Sequence, residues 1–293
     1  MADPCLLALD GTNLLYRSFH ALSGTGLSHA GRPVWAVHGL LLQIAKMVEV
    51  VRPTHLLVAF DTRHGCAWRR EIDPGYKATR TPPVQDLAQQ LSWAPSPLRQ
   101  AGLLVCDDPE HEADDILASA VTQAEGRGVR SVVVTSDRDA YQLLSAMVSV
   151  RTPEGKVVTV ESLKVSHGVS PQGYALLAAL RGEPSDNLPG ISGVGDKTAA
   201  RLVQEFGSFE ALEAVSDEEL RKVLGPKGIV SLRRDLPLAR RSATVATLRR
   251  DLPLPLVASS LAALDVDALE RALTTCGLQG AGRRLGSALR PRN

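Results

Sequence analysis

Three short apolar runs, each closed by an aspartate, organise the first half of the chain. They cover residues 6–9 before Asp10, 56–60 before Asp61 and 132–136 before Asp137. None shows the alternation of a half-exposed strand, so each predicts a strand buried on both faces, as in a parallel sheet. A helical spacing follows over about 33–50 and stops before Pro53. A further strand is expected at 103–106. A helix is expected from about 112 to the glycines at 126 and 128, and two strand-like runs lie near 147–151 and 157–160. This alternation predicts an α/β fold with a mainly parallel central sheet flanked by helices. After Pro171 the pattern turns helical and is broken by Gly- and Pro-rich turns. The expected division is an α/β core over 1–169 and a helical lobe over 170–293.

The stretch 62–100 breaks the rhythm. It holds Pro74, Pro82, Pro83, Pro95 and Pro97, two of the three tryptophans (Trp68 and Trp93), and basic Arg63, Arg69, Arg70, Lys77, Arg80 and Arg99. A long insertion leaving directly from a strand end is a functional or a disordered segment. Within it, Trp68-Arg69-Arg70 and the run from Gly75 to Arg80 interleave basic and aromatic groups. A base can stack on Tyr76 while Arg70, Arg80 and their neighbours take phosphates; the plainer reading is a solvated basic loop.

Composition narrows the class. The chain has 293 residues, 44% hydrophobic and 22% charged, as ordinary globular proteins do. No run is long and apolar enough to span a membrane, and the N-terminus lacks the pattern of a signal peptide. Four scattered cysteines (Cys5, Cys66, Cys106, Cys276) show no zinc spacing and read as reduced packing residues of a cytoplasmic protein. Net charge is +1, with 33 basic against 32 acidic residues. Setting aside the nine carboxylates singled out below leaves 23 acidic residues, so the remaining surface is positive. That suits a polyanion held over a metal centre.

In an open α/β sheet, ligands sit beyond the carboxyl ends of the strands. Asp10, Asp61 and Asp137 should therefore converge on one rim, where like charges repel unless a cation neutralises them. Three more acidic elements join them: Glu112-Ala113-Asp114-Asp115, Asp137-Arg138-Asp139, and Glu183-Pro184-Ser185-Asp186. Acidic residues favour a first helical turn, but that accounts for one or two carboxylates and not three within four positions. Carboxylates without His or Cys suit hard ions such as Mg²⁺ or Mn²⁺. Such a site can support two ions roughly 3.5–4 Å apart, acting on an in-line displacement at phosphorus.

The run 188–200 (Leu-Pro-Gly-Ile-Ser-Gly-Val-Gly-Asp-Lys-Thr-Ala-Ala) is the other strong element. Gly190 and Gly195 have the separation of a P-loop, but Asp196 stands where the lysine belongs and no apolar strand precedes it. The run reads instead as a glycine hairpin opening a helix over 197–206. Its backbone N–H groups at Gly193 and Gly195, with Lys197 and Thr198, would grip a nucleic-acid phosphate without reading sequence. The plain alternative is an ordinary helix N-terminus. The hexad Arg-Arg-Asp-Leu-Pro-Leu occurs at 233–238 and again at 249–254, too few copies for a solenoid.

Taken in order, these motifs resemble the 5′-nuclease superfamily, the flap endonucleases and the 5′→3′ exonuclease domain of bacterial DNA polymerase I. The resemblance rests on Leu9-Asp10-Gly11, Ala59-Phe60-Asp61, Gly75-Tyr76-Lys77, Glu112 to Asp115, Thr135 to Asp139, and Ser185 to Gly190 with the hairpin. It implies a PIN-like core, a helical arch formed by about 62–100, and a helix–hairpin–helix element over about 182–208 that holds duplex DNA and often a K⁺ ion. It also implies two or three divalent metals. Asp10, Asp61, Glu112, Asp114 and Asp115 would serve the first, some through water, Asp137 would lie between metals, and Asp139, Asp186 and Glu183 would serve the second or a third. Arg69 and Lys77 would steady the scissile phosphate and Tyr76 would stack on a base beside it. Implied substrates are DNA with a 5′ flap, nick or 5′ overhang, and RNA–DNA primers. A monomeric, stand-alone bacterial enzyme, cytoplasmic and nucleoid-associated, working beside a DNA polymerase, is the expected setting. Two departures stand out. Glu183 occupies a position where many bacterial relatives have Asp, and residues 94–97 (Ala-Pro-Ser-Pro) interrupt a helix that is usually continuous. Two rival readings remain: a PIN-type ribonuclease, against which the hairpin and the C-terminal lobe argue, and a junction-binding protein with a decayed metal site.

Overall fold

The computed structural model describes residues 3–62 and 64–290; Arg63, one of the basic residues of the insertion, lies outside them. In chain order the elements are β1 (Cys5–Asp10), α1 (Gly11–Leu22), β2 (Ser28–His29), β3 (Arg32–Pro33), α2 (Trp35–Val51), β4 (His55–Phe60), α3 (Ala67–Ile72), α4 (Gln85–Trp93), α5 (Pro95–Gln100) and β5 (Leu104–Asp107). Then come α6 (Ala113–Glu125), β6 (Arg130–Val134), β7 (Val148–Arg151), β8 (Val157–Val158), α7 (Val160–His167) and α8 (Pro171–Arg181). The remainder is α9 (Asp196–Phe206), α10 (Phe209–Ala214), α11 (Asp217–Leu220), α12 (Pro226–Ala246), α13 (Val266–Thr275) and α14 (Gln279–Leu289).

Six strands form one sheet in the order β5-β4-β1-β6-β7-β8, parallel except for the β7–β8 pair. β1 sits centrally and is buried at every position, as its unbroken apolar run requires. The strand order reverses direction between β4 and β6, on either side of β1, which is where an α/β sheet opens a crevice at its carboxyl edge. Asp10, Asp61 and Asp137 all lie at that edge.

Each face of the sheet has its own core. One carries α6, α8, α9 and α12 through residues such as Leu117, Val121, Tyr174, Leu202 and Leu232. The other carries α1, α2, α4 and α5 through Leu14, Leu40, Ile44, Leu87 and Leu98. Leu269 and Leu273 from α13, Leu278 just before α14 and Leu285 from α14 belong to this second core. The chain beyond residue 170 is therefore not a single lobe: its last two helices return to cover the first half.

α1 is a helix that the hydrophobic pattern alone did not announce. Its first residues, Gly11-Thr12-Asn13, resemble a turn, and its N-cap is Asp10, the residue that also ends β1. In the 62–100 stretch, α4 and α5 are separate short helices. Pro95 and Pro97 fall in the first turn of α5, where a missing N–H costs little, so the prolines start a second helix.

Candidate functional site

The carboxylates gather at the carboxyl edge of the sheet. Asp10 Oδ1 accepts from the Asn13 N–H at 2.9 Å and its Oδ2 from the Thr135 hydroxyl at 2.8 Å. Asp61 Oδ1 accepts from the Ala113 N–H at 2.8 Å, tying the end of β4 to the start of α6. Glu112 is the N-cap residue of α6, and Asp114 and Asp115 lie in its first turn. Asp137 accepts from the Asp139 N–H at 2.9 Å, so one tight turn carries both carboxylates. Asp186 follows Glu183 in a short 3₁₀ turn.

A narrow pit of about 10 Å³ is lined by Arg69, Tyr76, Lys77, Glu112, Asp114, Asp137, Asp139 and Asp186, room for about one water-sized species. Beside it runs an open polar cleft of about 440 Å³ along Asn13, Arg80, Asp137, Arg138, Arg181, Glu183 and Asp186. Asp137 and Asp186 line both.

The electrostatics show mutual repulsion. Burial, and then the charges of Asp61 and Asp137, push the Asp10 carboxyl up to about 7 despite its two hydrogen bonds. Asp114 is raised by burial and by Asp137, Asp10 and Asp61. Asp139 is raised by burial and by Asp137, Glu183 and Asp186. Burial raises Asp61, with Glu112 adding to it. Burial also raises Glu183, against the pull of Arg181 and with the push of Asp137 and Asp186. The charge of Asp137 thus acts on Asp10, Asp114, Asp139 and Glu183 together.

Four carboxylates of the site, Glu183 among them, hold side-chain cations. The turn Gly75-Tyr76-Lys77 lies directly over the pit. Lys77, with φ of 54°, donates from Nζ to Glu112 at 2.5 Å and stands 3.8 Å from Asp186. Burial pulls the Lys77 ammonium down, but Glu112 and Asp186 more than offset it and leave it raised. Arg80 pairs with Asp186 at 2.5 Å, and the Asn187 side chain holds the turn through the Gly75 carbonyl at 2.8 Å. Arg181 pairs with Glu183. Arg69, 2% exposed, forks onto Asp115 at 2.6 and 2.8 Å and donates to the Val245 carbonyl at 2.9 Å.

Three of the expected site residues have their partners inside the protein. Asp115 does not line the pit: it is fully buried, and it accepts from Arg69 and from the Arg249 N–H at 2.9 Å. Arg69 is correspondingly spent on Asp115, with Glu112 at 3.1 Å, and its guanidinium is not free to face a phosphate. Tyr76 is only 4% exposed and donates to Glu112 at 2.9 Å, so no open ring face awaits a base. An interleaved basic–aromatic pattern fits a buried ion-pair cluster as well as a nucleic-acid surface, and the sequence does not separate them. Arg70 is exposed.

Among the described residues, no three Asp, Glu, His or Cys side chains are arranged to hold a metal ion as they stand. The donor chemistry nevertheless fits a hard divalent cation. The groups are carboxylates alone, several are held above their ordinary range, and the Asp139 Oδ1 is buried with no hydrogen-bond partner. Within this arrangement Lys77 and Arg181 hold Glu112, Asp186 and Glu183 in ion pairs.

The hairpin follows α8. The bridge between Glu183 and Leu188 closes the 3₁₀ turn, and the Ile191 N–H returns to the Leu180 carbonyl at 2.9 Å. A Cβ on Gly190 would sit 2.3 Å from the Gly182 nitrogen, so the two strands of the turn meet only through glycine. Gly193, Gly195 and Lys197 are exposed and Thr198 is half-buried at the opening of α9. The Ser192 N–H is already taken by Asp235 at 2.9 Å. Residues to which the sequence reading gave no role also shape the site: Asn13 and Thr135 hold Asp10, and Arg181 holds Glu183. Asn13 is at i+3 from the strand-end Asp10, the spacing of a capped helix, which is the signal that points to it.

A parallel sheet with a carboxylate pit at its edge, joined to a helix–hairpin–helix element, is the architecture of a PIN-like nuclease core. Residues 5–168 match the family described as 5′-3′ exonuclease, N-terminal resolvase-like domain, and residues 169–269 match 5′-3′ exonuclease, C-terminal SAM fold. The chain belongs to the 5′-3′ exonuclease family. It is 38% identical over 261 residues to DNA polymerase I of Mycobacterium tuberculosis, covering 83% of this chain and 29% of that protein. It is 41% identical over 207 residues to the thermostable DNA polymerase I of Thermus aquaticus, covering 71% and 24%. The chain spans less than a third of the length of these curated relatives. Among solved structures, T5 5′-exonuclease with bound zinc superposes with a TM-score of 0.67 at 21% identity, covering 98% of this chain and 100% of that one. The catalytic core of Rad2 in complex with DNA substrate gives 0.60 at 16%, covering 99% and 93%. These two likenesses establish the fold. Among the described residues, no helix is long and apolar enough to cross a membrane.

Proposed function

We propose that this chain is a metal-dependent, structure-selective 5′ nuclease. It hydrolyses phosphodiesters near single-strand–duplex junctions as a 5′→3′ exonuclease and 5′-flap endonuclease. Family membership supports the reaction class, and the single observation carrying the reading is the position of Asp137. It lies at the carboxyl edge of the sheet, faces the pit and the open cleft at once, and presses on the carboxylates of both sides. Asp10, Asp61, Glu112 and Asp114 would hold one Mg²⁺ or Mn²⁺, and Asp139, Asp186 and Glu183 a second or third, with Asp137 between. Bound there, the ions would activate water and stabilise charge on the phosphate.

The chain's own residues do the rest. Lys77 and Arg80 sit on a turn held over the pit by side-chain ion pairs, by hydrogen bonds and by the buried ring of Tyr76. Lifting that turn exposes the pit and turns both cations toward an incoming phosphate. Arg70 extends the basic track. The hairpin, through Gly193, Gly195, Lys197 and Thr198, grips the duplex backbone without reading sequence, and a K⁺ ion there would share the phosphate charge. Substrates in this reading are DNA with a 5′ flap, nick or overhang and RNA–DNA primers, met in the bacterial cytoplasm beside a DNA polymerase.

The test is cleavage of a 5′-labelled flap duplex, with blunt duplex and single-stranded RNA alongside, in Mg²⁺, Mn²⁺ and EDTA. Metal-dependent cutting at the junction is expected. Tight flap binding without cutting in either metal would overturn the nuclease reading in favour of a junction-binding protein. Preference for unstructured RNA would favour a ribonuclease.

A further inference from the structure

Arg181 joins the two halves of the site. It is the last residue of α8, and Gly182, with φ of 82°, turns the chain immediately after it. The Arg181 side chain is 16% exposed. Its Nε donates to the Gly182 carbonyl at 3.2 Å, which fixes the plane of the guanidinium. One arm of the fork then reaches Glu183, at the cleft. The other reaches Asp196 Oδ1 at 3.2 Å, in the first turn of α9. One cation therefore bridges the carboxylate set and the helix end that opens toward duplex phosphate.

The two arms are unequal in what displaces them. Asp196 is 67% exposed and sits where the positive end of the α9 dipole favours an anion. A backbone phosphate arriving at that helix end brings a second negative charge beside Asp196. A guanidinium fork binds phosphate as readily as carboxylate, and in the same bidentate geometry. Glu183 meanwhile is repelled by Asp137 and Asp186 and is held against that repulsion by Arg181. A shift of the guanidinium toward a phosphate leaves Glu183 as one more uncompensated carboxylate at the cleft.

We infer that Arg181 is a positioning residue that couples the hairpin to the metal carboxylates: without duplex it holds Glu183 as an ion pair, and with duplex phosphate at α9 it turns to the phosphate and frees Glu183 for a divalent cation. The inference rests on the nuclease reading for the identity of the cation site.

The measurement is Mn²⁺ binding, followed by the electron paramagnetic resonance of free Mn²⁺, with and without a short dumbbell duplex. A dumbbell has no 5′ end and so offers no terminus to cut. In the wild type, the dumbbell should tighten the weakest Mn²⁺ by about tenfold, and Mn²⁺ should tighten the dumbbell by the same factor, as linkage requires. In Arg181→Met the weakest Mn²⁺ should already bind tightly without DNA, and the dumbbell should add less than about twofold. Arg181→Lys keeps the charge without the fork and should restore part of the coupling. In a Glu183→Gln background, Arg181→Met should change nothing further. Circular dichroism and melting of each variant confirm the fold. Should Arg181→Met not fold, the loss of coupling in Glu183→Gln and its partial retention in Arg181→Lys decide the matter. A wild-type titration unaffected by the dumbbell, or an Arg181→Met effect that persists in Glu183→Gln, overturns the inference. Flap cleavage by the wild type is scored separately: cutting with a flat titration rejects the coupling alone, and coupling without cutting rejects the nuclease reading alone.

Discussion

The acidic residues of the site fall into two sets that the sequence does not distinguish. Asp10, Asp61, Asp114 and Asp139 are raised by burial and by neighbouring carboxylates, and among the described residues no cationic side chain pairs with them. Glu112, Asp115, Glu183 and Asp186 each hold a lysine or arginine. Asp137 acts on both sets. In the first set, the charge is unbalanced and is a standing demand for an external cation. In the second it is balanced internally, either permanently, as in the buried Arg69–Asp115 pair, or through groups near solvent that can let go. Identical side chains thus take a metal-binding or a structural part according to whether a cation is already within reach.

The largest effect should come from the residue common to both sets. Asp137→Asn is expected to lower flap cleavage by about a thousandfold or more while leaving duplex binding nearly intact. Single-turnover assays beside a binding titration check this, and near-normal turnover would remove Asp137 from the centre of the site.

Breaking the permanent pair should unfold rather than merely inactivate. Asp115→Ala removes the bidentate partner of the buried Arg69 guanidinium, leaving it Glu112 and the Val245 carbonyl, and should cost about 3 kcal/mol in urea denaturation. Replacing both partners together, Arg69→Met with Asp115→Leu, should recover much of that stability. A mild Asp115→Ala phenotype, with stability kept and only metal affinity lost, would return Asp115 to the metal set.

The unbalanced set should appear as a pH effect on the metal-free protein. An ordinary carboxyl ionises near 4 in the unfolded chain, whereas Asp10 keeps its proton to about 7 in the native state. Between those values the native protein binds more protons than the unfolded one, so its stability falls as pH rises through that window. Asp61, Asp114 and Asp139 are shifted in the same direction. Thermal melts in EDTA should therefore fall by several degrees from pH 5 to pH 8, and Mg²⁺ should restore more at pH 8 than at pH 5. A melting temperature that rises over this range would reject the unbalanced set.

The smallest effect lies at the hairpin. Lys197→Ala should weaken binding to any duplex sequence about equally and lower the slope of log affinity against log salt by roughly one. A change in base preference would count against a phosphate grip.

Much of the fold was legible because its signals are local. The runs before Asp10 and Asp61 form β1 and β4, and the helical spacing over 33–50 forms α2 at 35–51. The run into Asp137 gives β6, which stops at Val134 and leaves a turn to carry Asp137 and Asp139. The carboxylate set was legible because strand ends in a parallel sheet share one edge. α1 was hidden because its cap doubles as a strand end. The return of α13 and α14 to the first half was hidden because an amphipathic face does not name the surface it will cover.

The repeated hexad marks the limit most plainly. Arg-Arg-Asp-Leu-Pro-Leu at 233–238 is helical inside α12, where Asp235 accepts from the Ser192 N–H of the hairpin. At 249–254 the same six residues run outside regular secondary structure, and the Arg249 N–H closes on Asp115. Both copies bury their first leucine, Leu236 and Leu252. The hydrophobic demand is written in the hexad. The conformation meeting it depends on the flanks: a helical run through Ala246 continues the first copy, whereas Pro255 follows the second. The sequence by itself determined the parallel sheet, the acidic edge and the glycine hairpin, since periodicity and residue type suffice for these. Only the tertiary structure decided which carboxylates face a cation already in the protein, because that depends on which distant arginine or lysine the packing brings within about 3 Å.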